Sequence, residues 1–169
     1  MGNRFHNIMQ ARQYWENNGA IWDLRHSELV ESAPWGPIPQ DPYINAVSVF
    51  STSLTAEEVL AECLRIEQIM GRTRQVRFGP RVIDLDLLLG SVTVIDRDDL
   101  VLPHPRLHER GFVLQPLVAI WPDAWHVTAG CTVSELWTRW KHSVTHPEDF
   151  VWDPKARSGL FSQTRREKV

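Results

Sequence analysis

Apolar and polar positions alternate with a period of two through V-I-D-L-D-L-L-L, residues 82 to 89, the spacing of an extended chain. In a strand, Val82, Asp84, Asp86 and Leu88 share one face and Ile83, Leu85, Leu87 and Leu89 the other. The second is a plain core face. The first carries two carboxylates about 7 Å apart, at a rise of roughly 3.3 Å per residue. Ionised groups on such a face need positive company, whether arginine, a metal ion or both.

Elsewhere the period changes. Phe5, Ile8, Met9, Arg12 and Trp15 recur at helical spacing and predict an amphipathic helix over 4–17, stopped by Asn17-Asn18-Gly19. Residues 20–32 read as extended. A-P-W-G-P-I-P-Q-D-P, residues 33–42, holds four prolines and a glycine and reads as a loop of restricted φ. Residues 43–52 are β-rich. A second helix starts at Thr55, which forms a capping box with Glu58, is stapled by Leu54 and Val59, and ends at Gly71. After a basic stretch and the aspartate strand, Gly90-Ser91 turns into a further strand, V-T-V-I. A short helix is expected around 105–110 and another element from 116–121. Beyond about residue 127 the pattern weakens, and the last dozen residues read as a frayed polar tail. This order predicts an α+β sandwich with a largely antiparallel sheet.

Composition narrows the class. A chain of 169 residues with 43% hydrophobic and 23% charged positions is long enough for one domain with a real core and is not disordered. A net charge of -3 gives no global pull toward nucleic acid or an anionic membrane, so neither is an expected partner. Cys63 and Cys131, the only cysteines, make no disulfide framework and are expected to be reduced thiols. No apolar run is long enough to span a bilayer and the opening M-G-N-R-F-H-N-I-M-Q lacks a signal-peptide core, so a cytoplasmic address is expected. The eight tryptophans follow no repeat and read mostly as packing.

The aspartates gain meaning from what precedes them. A bare D-x-D equally describes one solvated carboxylate and one arginine pair. Here Arg72, Arg74, Arg77 and Arg81 crowd in before Asp84, with Gly71 and Gly79-Pro80 shaping the loop. Forked guanidinium donors suit phosphate oxygens, and two carboxylates on one face suit Mg²⁺, which binds through few carboxylates plus substrate phosphates. The two together make a nucleoside triphosphate site without a Walker loop, whose motif is absent. In L-P-H-P-R-L-H-E-R-G-F, residues 102–112, two prolines fix His104, and Arg110 follows one short helix later. The alternatives are a structural turn histidine at 104 and a solvated one at 108; the histidines and cysteines lack zinc-ligand spacing. In Y-I-N, Tyr43 and Asn45 share a strand face, and an asparagine amide can read an amide-like heterocycle edge. Phe78 and Phe112 offer stacking faces. Each of these also has a packing explanation.

The run R-F-G-P-R-V-I-D-L-D-L-L, with the S-A-P-W-G loop, Y-I-N, G-R-T-R, P-H-P and R-G-F, resembles the signature of the 6-hydroxymethyl-7,8-dihydropterin pyrophosphokinase family, from about Gly2 to Val127. The resemblance implies a ferredoxin-like α+β fold and transfer of pyrophosphate from ATP to the pterin hydroxymethyl oxygen, with release of AMP and two Mg²⁺ ions. It implies that Asp84 and Asp86 ligate metal, that Arg72 and Arg81 are catalytic, and that Glu67, Arg74, Arg77, His104 and Arg110 bind ATP. Ser32, Ala33, Trp35, Tyr43, Asn45, Phe78 and Phe112 then form the pterin pocket. Residues 1–127 would be the catalytic domain and 128–169 a variable extension packed on or trailing from it, in a monomer or weak homodimer. The family opens with a strand and a G-S-N-L-G turn; here only the end of that turn stands, at Gly2 to Arg4, so the sheet is expected to lack its first strand and to leave neighbours with unpaired edges, from a start placed late or a trimmed chain. Pro105, where an aromatic is common, and Gln75-Val76, where the loop runs one residue short, alter the expected ATP contacts. The rival readings are a metal-dependent phosphohydrolase using the same D-x-D, and a non-catalytic nucleotide- or pterin-binding relative or fragment.

Overall fold

A computed structural model describes residues 3–32, 42–71 and 82–144. The first helix, α1 (Arg4–Glu16), is capped by Asn3, whose side chain accepts the His6 N–H at 3.1 Å. Its buried face runs through Ala11 and Trp15, the latter stacked on Phe50 with ring centroids 5.4 Å apart. Phe5 and Met9, expected on that face, are instead 54% and 38% exposed. The small Ala11 lets α1 approach closely, and that rotates the helix away from the phase its bulkier residues indicate.

An antiparallel ribbon follows. Strand β1 (Ile21–His26) pairs with β4 (Ser48–Thr52), and β2 (Val30–Ser32) pairs with β3 (Tyr43–Asn45). Ser27 bridges the two halves: its N–H donates to Val47 O and its hydroxyl accepts the Val47 N–H, both at 2.9 Å. The register shifts between Trp22 and Arg25, where Asp23 adopts a φ of +51°, a conformation that short polar side chains tolerate. Helix α2 (Ala56–Ile69) has the predicted capping box between Thr55 and Glu58, and Gly71 leaves it at a φ of +89°.

Residues 82–90 depart from the prediction. They form no strand and no ladder with any described strand. Alternation decides which side chains face the core; a ladder also needs a neighbour at pairing distance, and the described residues supply none. The predicted V-T-V-I strand is displaced as well. Strand β5 (Ile95–Arg97) pairs with β6 (Leu100–Leu102) across the two-residue turn Asp98-Asp99, while Val92 and Val94 are 80% and 52% exposed. The tight turn, and not the valines, sets the register.

A 3-10 turn (Leu107–Glu109) stands where a short helix was expected, and leads into α3 (Gly111–Ile120). That helix starts before the expected 116–121 and carries Pro116 in its interior, at the loss of one helical hydrogen bond. Two short strands, β7 (Trp125–His126) and β8 (Cys131–Thr132), close a turn before α4 (Val133–Ser143). The sequence reading missed α4, although Thr132 and Glu135 make a full capping box.

Two cores lie on opposite faces of the extended elements. One gathers Ala11, Trp15, Val59, Cys63 and Ile66 of α1 and α2, with Phe50, Ile83, Leu85 and Leu87 against them. The other gathers Leu107, Leu114, Leu117, Val133, Leu136 and Trp140, with Val47, Val49, Leu88 and Leu89. Adjacent residues of β4 thus serve different cores. The architecture is mixed helix and sheet with short antiparallel sheets, an α+β fold. Among the described residues no helix is long and apolar enough to cross a membrane.

Candidate active site

Asp84 and Asp86 are both exposed, whereas Ile83, Leu85 and Leu87 pack on α1 and α2, so the predicted division of faces holds over 83–87; it breaks at Leu88 and Leu89, which both pack on the other core. The backbone of this stretch is anchored at Val82, Leu85 and Leu88. Asn7 Nδ2 donates to Val82 O at 3.0 Å, the Leu85 N–H donates to Glu67 Oε1 at 2.8 Å, and the His104 N–H donates to Leu88 O at 2.7 Å. The role of Asn7 was not foreseen. Its one signal is chemical: asparagine is a poor residue for a helix interior unless its amide has work elsewhere.

Arg110 Nη1 reaches Asp86 Oδ2 at 3.3 Å, with side chains 23% and 46% exposed. So long and open a pair is weak and can exchange partners. Arg110 is the N-cap of α3, a place fixed by its neighbours. The Trp140 Nε1–H donates to Glu109 O at 3.1 Å, and a Cβ added to Gly111 would sit 2.3 Å from Trp140 Cη2. Only glycine lets the start of α3 lie on that indole.

His104 stands beside the same edge. Its Nδ1 accepts the Arg106 N–H at 3.1 Å, so in the neutral ring the proton is on Nε2, where it can donate to a ligand oxygen. Burial lowers its pKa; the Asp86 charge opposes the fall and Arg110 adds to it. On the other side of the segment, burial and then the Asp86 charge push the Cys63 thiol up to about 12, so it is no nucleophile.

Glu67, expected beside the nucleotide, is only 1% exposed and lies behind the aspartates. At the ribbon's far end, Asn45 Nδ2 donates to Ser32 Oγ at 2.9 Å and to Val30 O at 3.3 Å. Both amide protons are thereby held within β2 and β3, and the carbonyl oxygen is the group left for a ligand. Tyr43 pairs with Ser32 in register, and Phe112 is half-buried in the first turn of α3. Arg72, Arg74, Arg77, Phe78, Arg81, Ala33 and Trp35 lie outside the described residues.

The donor set suits Mg²⁺: two exposed carboxylates, oxygen only, on one face. Among the described residues no three His, Cys, Asp or Glu side chains converge, so the remaining ligands would be phosphate oxygens and water, as is usual for that ion. Carboxylates, a guanidinium and a neutral imidazole donor along one open edge of an α+β scaffold are the features of a phosphoryl-transfer site.

Comparison with known proteins carries this further. The family model for 7,8-dihydro-6-hydroxymethylpterin-pyrophosphokinase (HPPK) matches residues 1–122, and the chain belongs to that family. It is 46% identical over 102 residues to the 2-amino-4-hydroxy-6-hydroxymethyldihydropteridine pyrophosphokinase of Methylorubrum extorquens, covering 60% of this chain and 63% of that protein. To the protein of the same name from Bacillus subtilis it is 38% identical over 120 residues, 71% of this chain and 72% of that protein. The mitochondrial folate synthesis bifunctional protein of Pisum sativum is 36% identical across all of this chain, which spans 35% of that longer protein. The chain thus spans less than two thirds of the M. extorquens and pea proteins.

Proposed function

We propose that this chain transfers pyrophosphate from ATP to the hydroxymethyl group of 6-hydroxymethyl-7,8-dihydropterin, releasing AMP, in folate biosynthesis. The observation that carries the reading is the exposed Asp84–Asp86 pair with Arg110 at 3.3 Å from Asp86 and His104 beside it, within a family match over residues 1–122. The pterin hydroxyl oxygen attacks the β-phosphorus. A new O–P bond forms, the bond from that phosphorus to the α,β-bridging oxygen breaks, and the hydroxyl proton passes to solvent. Asp84 and Asp86 would hold two Mg²⁺ ions, which when bound neutralise charge on the triphosphate.

The chain's own residues supply position and charge. Arg110, released from its weak pair with Asp86, meets phosphate oxygens in forked geometry, and neutral His104 donates from Nε2. Arg72 and Arg81 are the catalytic arginines of this reading and Arg74 and Arg77 bind ATP, while Glu67, buried behind the aspartates, acts from the protein side. The Asn45 carbonyl oxygen accepts from the pterin edge in a pocket completed by Ser32, Ala33, Trp35, Tyr43, Phe78 and Phe112. Aligning the alcohol with the phosphorus is worth more here than a strong base.

The reading extends to the fold: a ferredoxin-like sandwich short of the family's first strand, with residues 1–127 as the catalytic domain and 128–169 as an extension. Helical cores on both faces of β4 and the ladderless edge of residues 83–89 support the first part. The reach of the family match supports the second.

The test is AMP formation from ATP and Mg²⁺, with and without 6-hydroxymethyl-7,8-dihydropterin. Pterin-dependent AMP is expected. Phosphate release without pterin would replace the reading with a phosphohydrolase, and ligand binding without AMP with a non-catalytic relative.

A further inference from the structure

Leu85 is the residue between the two aspartates, and its N–H donates to Glu67 Oε1 at 2.8 Å. The other two anchors hold the ends, at Val82 O and Leu88 O. In a paired strand, ladder bonds on alternate residues would fix how each peptide plane is turned. Residues 83–89 have no ladder among the described residues, so the turn of the planes around Leu85 depends on side chains. Leu85 itself packs toward the core formed by Ile66 and Cys63, one and four residues before Glu67 on the same helix. Side chain and amide are therefore both held from α2, and Asp84 and Asp86, its neighbours on either side, are turned out to solvent.

We propose that Glu67 is a positioning residue: by accepting the Leu85 amide it sets the spacing and facing of Asp84 and Asp86 for a divalent cation, doing for this segment what a neighbouring strand does in a sheet. The inference rests on the reading of the two aspartates as cation ligands. A carboxylate suits the task because it makes a charge-assisted bond to an amide, and at 1% exposure water does not compete for it. What Glu67 contributes is then the acceptor oxygen at that place, and contact with the nucleotide is not required.

Mn²⁺ binding to the full chain, followed by electron paramagnetic resonance in the presence of a non-hydrolysable ATP analogue, reads this without turnover. Glu67→Leu, which keeps bulk and removes the acceptor, is expected to weaken Mn²⁺ binding about 10- to 100-fold, the range for lost partners behind metal ligands. Glu67→Gln retains a carbonyl acceptor and is expected to rescue most of that loss. A folded Glu67→Leu protein with unchanged Mn²⁺ affinity overturns the inference, and so does Glu67→Gln if it is as damaging as Glu67→Leu, because charge would then be the requirement. Should Glu67→Leu not fold by circular dichroism, Glu67→Gln decides alone: retained affinity supports the inference and lost affinity overturns it. Asp86→Asn separates the two levels. If it leaves Mn²⁺ affinity intact, the reading of the aspartates has failed; if it abolishes binding while Glu67→Leu does not, the positioning role alone has failed.

Discussion

Residues 48–52 and 83–89 both send side chains into each of the two cores: Phe50 to one and Val49 to the other, Leu85 to one and Leu88 to the other. The first is hydrogen-bonded along β1. The second is held at three points by the side chains of Asn7 and Glu67 and the backbone of His104. The two exposed aspartates sit on the stretch that has no ladder among the described residues. Packing into the cores thus fixes which side chains of a segment face inward without a ladder, while the backbone bonds decide how firmly the exposed ones are aimed. In 83–89 that aim depends on a few groups that single substitutions can remove.

Hydrogen exchange puts the comparison at greatest risk. Amides of β4 that donate to β1 are expected to exchange a thousandfold or more slowly than those of Leu87 and Leu89, on the order set by cooperative against local opening. Equal protection in the two stretches would break the contrast. Next in size is Asp86→Asn, expected to lower pterin-dependent AMP formation about 100-fold or more, as for loss of one preorganised electrostatic group. Its Tm should barely move, because an open pair such as Asp86–Arg110 is worth about 0–1 kcal/mol. Leu114→Ala inverts that pattern: at 0% exposure its loss should cost about 2–5 kcal/mol in urea unfolding.

A smaller effect follows from the histidines. Burial holds His26, His104 and His126 below the ordinary histidine value of 6.5. The unfolded chain therefore takes up protons first as pH falls, so stability is full above about 6.5 and declines toward the lower folded values. Tm measured from pH 7.5 to 5 should fall, and a flat profile would show that these rings charge freely in the native state. Smallest is Cys63, which stays a thiol in the fold and should resist iodoacetamide at pH 8 until denaturant is added.

Much of the site was legible because it is local. The alternation gave the two faces of 83–87, Thr55 and Glu58 gave the start of α2, and the prolines around His104 marked a turn. What escaped is non-local. Whether 82–89 has a ladder depends on a neighbour distant in sequence, and nothing in its own pattern reports one. The bond from Leu85 to Glu67 joins positions 18 apart, and that from Asn7 to Val82 spans 75. Helix α4 was missed although its signals are local: the T-V-S-E cap and the helical spacing of Val133, Leu136, Trp137 and Trp140 both stand in the sequence.

The contact of Gly111 with Trp140 bears on how this chain can be divided. The family match stops at residue 122, yet the indole that seats the first turn of α3, and with it Arg110, is Trp140. The stretch that the family model matches and the stretch that must fold together are different lengths. Anyone excising the domain for fusion, permutation or transplantation should place the cut after Ser143, since a cut at the end of the family match would keep every signature residue and lose the surface that holds one of them in place.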